Sequence, residues 1–374
     1  MKRTNLEGGV TVVTYDLPPE NFDPLTASPA ELQKYGLPAM PDDPRHRERY
    51  QKLFRQLKFV EPEFRIAPRR GRAAGSAASP ANNPTGTSSN WSGSVVYPPQ
   101  GQSFKWIQAE WVVPNVVAPG TWCVSRVGIE GDSTDNVLSA GVQQQLGSKA
   151  LFVWFLTPSY PEFEIANISV SAGDRVSVVL CSNQGVGSTS STVYFANLTT
   201  DQSTNFTIGL DGDSPFPANS AEWIVGPDWD PRSNSAASGS ELADYGEVLF
   251  QSCEAVTTPV KTTVNGGTGS GTTINLIAGG ELISEGILID PTTVKCVYKP
   301  PSTTPPPQPI DCQSLLQNID DNIGEGKHLP VETLQLWERE LGTCYHSGKI
   351  TQFEYETALK LVMSRLPGGS NYPG

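Results

Sequence analysis

Between residues 85 and 300 the apolar residues of this chain come in short alternating runs, and no stretch there has the spacing of an amphipathic helix of useful length. Residues 104–113, 193–197, 204–210 and 247–253 are rich in Val, Ile, Thr and aromatic side chains, and Gly, Pro, Asn and Ser separate the runs. A strand with this alternation has one apolar face, which it must bury against another sheet. Many short strands of this kind imply a sandwich or a barrel. The length of 374 residues allows one large body with appendages, and no apolar run is long enough to span a membrane.

Both ends differ from this middle. Residues 1–80 carry 13 Lys and Arg against 10 Asp and Glu, and the remaining residues carry 13 against 29. From Arg45 to Arg72 there are ten basic and three acidic residues, and residues 45–57 have the composition for one short helix. An extended arm wrapping the body and leading into a flexible linker from Gly71 to Ser89 accounts for this segment without a processing step. A basic propeptide held over an acidic body is the competing reading. At the other end, Pro300 to Pro309 reads as a stiff polyproline-type spacer. Beyond it Leu315, Leu316 and Ile319, then Leu334, Trp337 and Leu341, then Phe353, Ala358, Leu361 and Val362 recur at helical spacing. Pro330 stands near one helix start, and Thr351 is placed to cap another. A helical module this small needs a staple, and Cys312 and Cys344 are available for it. The expected organisation is therefore an arm and linker over 1–84, a sandwich over 85–299, a spacer over 300–309 and a helical module over 310–374.

Several chemistries are disfavoured by what the chain lacks. The six cysteines show no Cys-x-x-Cys spacing, which argues against a zinc ribbon or a thioredoxin-type site and leaves their pairing open. His46, His328 and His346 all fall outside the expected sandwich, so a Ser–His pair or a histidine-bound metal in its cleft is not expected. No cofactor is implied. A net charge of −13 argues against nucleic acid or an anionic membrane as partner. Lys2 and Arg3 are followed by polar residues instead of an apolar core, so no secretory signal is read and a cytoplasmic or non-classically released protein is expected. Sequons begin at Asn90, Asn167, Asn197 and Asn205, and without an export signal they are expected to carry no glycan. Asp211-Gly212-Asp213 reads as a turn before it reads as a calcium ligand.

A series of motifs in order carries a family resemblance from about residue 88 to about residue 256. These are Ser89-Asn90-Trp91-Ser92-Gly93, Ala109-Glu110-Trp111-Val112-Val113-Pro114, Val127-Gly128-Ile129-Glu130-Gly131-Asp132, Val137-Leu138-Ser139-Ala140-Gly141, Ser171-Ala172-Gly173-Asp174-Arg175-Val176, Ala196-Asn197-Leu198-Thr199-Thr200 and Ala221-Glu222-Trp223-Ile224-Val225-Gly226. Together they resemble the glutamic peptidases, or eqolisins, which implies an all-β, concanavalin-like antiparallel two-sheet sandwich. The resemblance also implies a reaction in which a glutamate takes a proton from water while a glutamine amide stabilises the oxyanion. Here Ser139 stands at the glutamine position and Gly226 at the glutamate position, and Phe155 replaces a carboxylate expected to line the cleft. A serine hydroxyl can still donate one hydrogen bond, but glycine cannot act as a base. General base help contributes roughly 10²–10⁴ in rate and one oxyanion donor roughly 10²–10³, so losing both implies little hydrolysis.

The resemblance therefore implies a non-catalytic sandwich that binds an extended polymer or serves in assembly. Polypeptide is the favoured ligand and carbohydrate the second, with the terminal segments as docking surfaces for a protein partner or a second copy. An active endopeptidase and a lectin-like module are the competing functions. Candidate cleft residues are Trp91, Glu130, Asp132, Gln143, Phe155 and Glu222, of which Glu130, Asp132 and Glu222 would also serve a glycosidase. Ser139 and Gly226 are expected on neighbouring strands facing one concave surface. If those strands pair antiparallel, Gln143 and Glu222 can meet as a displaced amide–carboxylate pair. Otherwise Glu222 is a structural residue of the Ala-Glu-Trp motif.

Overall fold

The computed structural model describes residues 1–6, 9–40, 44–54, 58–66, 85–117, 122–129, 137–145, 148–156, 163–182, 190–210, 218–227, 242–266, 271–278, 280–300, 311–324 and 331–365. From the N-terminus the elements are β1 (Lys2–Asn5), β2 (Val10–Thr14), α1 (Pro29–Lys34), α2 (Pro44–Phe54), β3 (Lys58–Phe59), β4 (Phe64–Ile66), β5 (Thr85–Ser88), β6 (Ser92–Val96), β7 (Ser103–Val112), β8 (Trp122–Ile129), β9 (Val137–Gln145), β10 (Ser148–Leu156), β11 (Phe163–Ile165), β12 (Arg175–Ser182), β13 (Ser190–Asn197), β14 (Gln202–Leu210), β15 (Ala221–Gly226), β16 (Glu247–Thr258), β17 (Thr263–Asn265), β18 (Gly271–Ala278), β19 (Glu281–Asp290), β20 (Thr293–Tyr298), α3 (Cys312–Gly324), α4 (Val331–His346) and α5 (Gln352–Arg365). No described residue between 85 and 300 is helical, as the alternating runs predict.

Two layers face each other, antiparallel except where β3 runs parallel to β14 and β5 to β18. One runs β1-β2-β14-β13-β12-β7-β16. The other runs β4-β11-β10-β9-β8-β15-β6-β18 and continues through β19 and β20 to β16. Strand β16 joins both layers, pairing with β20 at Glu247 to Phe250 and with β7 from Gln251 onward. A register shift between Gln251 and Glu254 marks the bulge that turns it from one sheet to the other. Alternate residues of each layer, such as Ile107, Ala109 and Trp111 on β7 and Val127, Ile129, Trp223 and Val225 across the gap, fill the core. The two large indoles are satisfied as well as buried: Trp111 Nε1 donates to Ser125 Oγ at 2.9 Å, and Trp223 Nε1 to the Gln108 carbonyl at 2.8 Å.

The N-terminal segment contributes to both layers. Strand β2, a run of β-branched residues, pairs with β14, and β1 pairs outside it. Helices α1 and α2 lie on the outer face of the first layer, where Leu32, Leu37, Tyr50, Leu53 and Phe54 bury themselves with Val179. Strand β4 then pairs with β11 on the second layer. The sequence predicted the helix near Arg45 but not these strands. Asn205 Nδ2 donates to the carbonyls of Tyr35 and Gly36, Asn167 Nδ2 to that of Glu61, and Asn197 Nδ2 to Ser169 and Asp174. Three of the four sequon amides are thus engaged in holding the fold.

The C-terminal helices have a core of their own, built from residues between Cys312 and Val362. Asp311 accepts from the amides of Gln313 and Ser314 at the start of α3, while Thr351 and Glu354 exchange hydrogen bonds as a capping box at the start of α5. Trp337 and Tyr345 pack against this core as expected, but Phe353 is 78% exposed because it sits in the first turn of α5, off its buried side. Cys312 and Cys344 form a disulfide closing 32 residues of sequence. The other four cysteines are free thiols, and burial pushes that of Cys296 up to about 12. Reduction should cost the helical module about 3–4 kcal/mol from the loop it closes. Deletion of residues 310–374 should leave the sandwich's melting transition in place. Differential scanning of parent, reduced and truncated protein checks both, and a shift of the main transition on truncation would show one cooperative unit.

Candidate functional site

The face opposite the core on β15, β8 and β9 carries Ser139 and Gly226. Strand β8 lies between the other two, pairing antiparallel with each, so β15 and β9 run parallel to one another two strands apart. Three rows of side chains cross this face. Glu222, Gly128 and Ser139 form the first; Ile224, Arg126 and Gly141 the second; Gly226, Val124 and Gln143 the third. In backbone register, Trp154, Phe152 and Ala150 of β10 pair with Ser139, Gly141 and Gln143.

This register departs from the sequence expectation in two ways. Ser139 and Gly226 share a face but not adjacent strands, and they stand four residues apart in register, about 13 Å along the strands. Gln143 and Glu222 are displaced in opposite senses, so the register that would let them meet is not formed. Glu222 shares its row with Ser139, and Gln143 shares its row with Gly226. Phe155 pairs with Leu138, whose side chain belongs to the core, whereas Trp154 pairs with Ser139. Glu130, Asp132 and the segment Asp211-Gly212-Asp213 lie outside the described residues.

At the Ser139 end the groups are buried and mutually engaged. Arg126, 5% exposed, donates from Nη1 to Ser139 Oγ at 2.7 Å. Glu222, 1% exposed, accepts from Ser220 Oγ at 3.2 Å. A β-carbon at Gly128 would lie 3.3 Å from Ser139 Cβ and 4.0 Å from Glu222 Oε2, so the missing side chain lets the serine and the carboxylate approach across β8. A side chain at Gly141 would collide with the Ser125 carbonyl and lie 2.6 Å from Arg126 Cα, which holds β9 tightly against the arginine.

The Gly226 end is closed by main chain. A β-carbon there would strike the carbonyl oxygen of Asn90 and lie 3.2 Å from Trp91 Cβ. Trp91 is 7% exposed and packs with Val95, Ile224 and Ile274 in an apolar cluster on this outer face. Gln143, 5% exposed, has a buried Oε1 with no hydrogen-bond partner among the described residues. Sequence reasoning did not single out Arg126. Its signal was a lone charge inside the run Cys123-Val124-Ser125-Arg126-Val127, where alternation puts it on the side of Gly128.

This arrangement offers a buried guanidinium, a carboxylate and two polar side chains, with no side chain at the expected base. No group of His, Cys, Asp and Glu among the described residues is arranged to hold a metal ion. No helix among them is long and apolar enough to cross a membrane.

Among solved structures, similar chains include scytalido-glutamic peptidase with a transition-state analogue inhibitor, at 20% identity over 56% of this chain and 98% of that one, with a TM-score of 0.48. SCP-B, a member of the eqolisin family in complex with the tripeptide Ala-Ile-His, matches at 22% identity over 56% and 98%, with a TM-score of 0.45. Aspergilloglutamic peptidase from Aspergillus niger matches at 25% identity over 48% and 99%, with a TM-score of 0.40. No curated protein matches the chain. The model of the Peptidase A4 family matches residues 89–298, more than half of the chain and the whole span of the resemblance, so this chain belongs to the Peptidase A4 family.

Proposed function

We propose that this chain is a non-hydrolytic member of its family, a polypeptide-binding module organised as an arm over 1–84, a sandwich over 85–299, a spacer over 300–309 and a helical module over 310–374. The observation that supports the loss of hydrolysis is at Gly226, the position that the resemblance gives to the base: the Asn90 carbonyl leaves no room there for a side chain, and at about 13 Å in register from Ser139 it could not share one water with the serine. At the other position Ser139 is already engaged by Arg126. A hydroxyl oxygen that accepts from a guanidinium does not recreate an amide aimed at an oxyanion. Membership in a peptidase family favours polypeptide over carbohydrate as the ligand. Trp91, Gln143, Glu222 and Arg126 lie on this face but are 1–7% exposed, so a polypeptide would reach them only after the chain covering them has moved aside.

Calorimetric titration of the full chain with an unfolded polypeptide and with oligosaccharides tests this reading. The expected result is saturable binding of the polypeptide, with its mass unchanged afterwards. Binding of the oligosaccharides alone would instead make the chain a lectin-like module.

A further inference from the structure

We infer that the groove between the edges of β14 and β11 is a binding site for an extended polypeptide, read through its main chain, and that residues 58–66 of the arm occupy it in cis. This site lies away from the face carrying Ser139 and Gly226, and the inference does not depend on how that face functions.

The bonding of this strap is the evidence. On the first layer the Lys58 amide donates to the Asp201 carbonyl at 2.7 Å, the Val60 amide to the Ser203 carbonyl at 2.8 Å, and Thr204 Oγ1 to the Val60 carbonyl at 2.9 Å. On the second layer Phe64, Arg65 and Ile66 pair antiparallel with Ile165, Glu164 and Phe163. Between these two ladders Asn167 acts as a clamp. Its Nδ2 donates to the Glu61 carbonyl at 2.7 Å, its Oδ1 accepts from the Glu63 amide at 3.0 Å, and the Ala166 amide donates to the Glu63 carbonyl at 2.8 Å. One side-chain amide thereby mimics a strand neighbour across the step where no strand is present.

Each of these hydrogen bonds ends on a main-chain atom of the strap. The side chains of Lys58, Glu61, Glu63 and Arg65 are exposed. Specificity comes from the apolar positions: Phe59 packs with the cluster under α1 and α2, Val60 packs against the main core, Pro62 is buried, and the Phe64 ring meets Phe206 edge-on at 4.8 Å between centroids. Main-chain pairing with pockets for alternate side chains is how sheet edges recognise extended peptides in general. A groove built this way fits an extended segment with apolar residues at the positions of Val60, Pro62 and Phe64, once the tethered strap yields its place.

The test uses the full chain with Glu63→Pro, which removes the amide that Asn167 accepts from, and a fluorescein-labelled peptide of residues 58–66 as probe. The tethered strap competes at high effective concentration, so the variant should bind the peptide about tenfold or more tighter than the parent. Adding Asn167→Leu should weaken that binding about tenfold, while a peptide with Glu61, Glu63 and Arg65 replaced by serine should bind within about threefold of the first. Equal binding by parent and variant, no binding by the variant, indifference to Asn167→Leu or loss of binding by the serine peptide would each overturn the proposal. Should the variant not fold, hydrogen exchange of the unmodified protein decides: the amides of Lys58, Val60 and Glu63 should exchange about tenfold or more faster than those of Val178 and Phe206. Equal protection would make the strap part of the core and end the proposal.

Discussion

Replacing Gly226 by glutamate should destabilise the protein strongly and restore no peptide hydrolysis. The first atom of the new side chain would strike the Asn90 carbonyl, and Trp91 Cα lies only 3.3 Å from the same point. Neither neighbour is free to retreat. Asn90 is 3% exposed with its amide bonded to Ser88 Oγ, and Ser92, just beyond, is locked to Val225 in the β6–β15 ladder. Forcing extra atoms into a packed site costs about 1–3 kcal/mol, and a buried carboxylate without a prepared partner adds several more. The melting temperature should fall by about 10 °C or more. Gly226→Ala isolates the steric part and should give the smaller drop. A Gly226→Glu variant that melts like the parent and cleaves polypeptide would show that the site is an intact frame missing one side chain.

Removal of residues 1–66 should have a larger effect, abolishing cooperative folding. The deletion uncovers Val179 and the partly buried Trp106 and Tyr194, and it discards the buried surfaces of Leu32, Leu37, Tyr50, Leu53 and Phe54. Each such side chain contributes about 1.5–3 kcal/mol when buried, so together they rival the 5–15 kcal/mol that typically holds a domain. It also bares the edges of β14 and β11 to pairing with other chains. Soluble yield and a thermal melt of the truncated chain check this outcome. A well-folded product with the parent's transition would make the arm a dispensable cover, which is the propeptide reading. Loosening residues 58–66 alone is a milder change, since α1, α2, β1 and β2 keep their contacts.

The sandwich was legible because its information is local. A β-strand's two-residue period is written in its own residues, so the runs at 104–113 and 247–253 marked β7 and β16 directly. The C-terminal helices were legible for the same reason, and Phe353 was misplaced because helical spacing alone does not say which side of a short helix meets its neighbours. Register is different, because it depends on which strands pair. Motif spacing identified Ser139 and Gly226 but could not show that β8 separates their strands, nor that Gly128 brings Glu222 and Ser139 into one row. The closure of Gly226 by Asn90 joins residues far apart in the chain and had no sequence signal. In the arm, Val10-Thr11-Val12-Val13-Thr14 is a β-branched run that predicts a strand on propensity alone, and the basic cluster further on, from Arg45 to Arg72, drew the reading towards charge instead.

The central claim, a Peptidase A4 scaffold without peptidase chemistry, is tested most directly by mass spectrometry of an unfolded polypeptide incubated with the purified full chain from acid to neutral pH. The account predicts no products above a no-enzyme control at any pH, and no difference between the parent and Glu222→Gln. Products that persist through stringent purification and disappear with Glu222→Gln would contradict it, because Glu222 would then be supplying the base that Gly226 lacks.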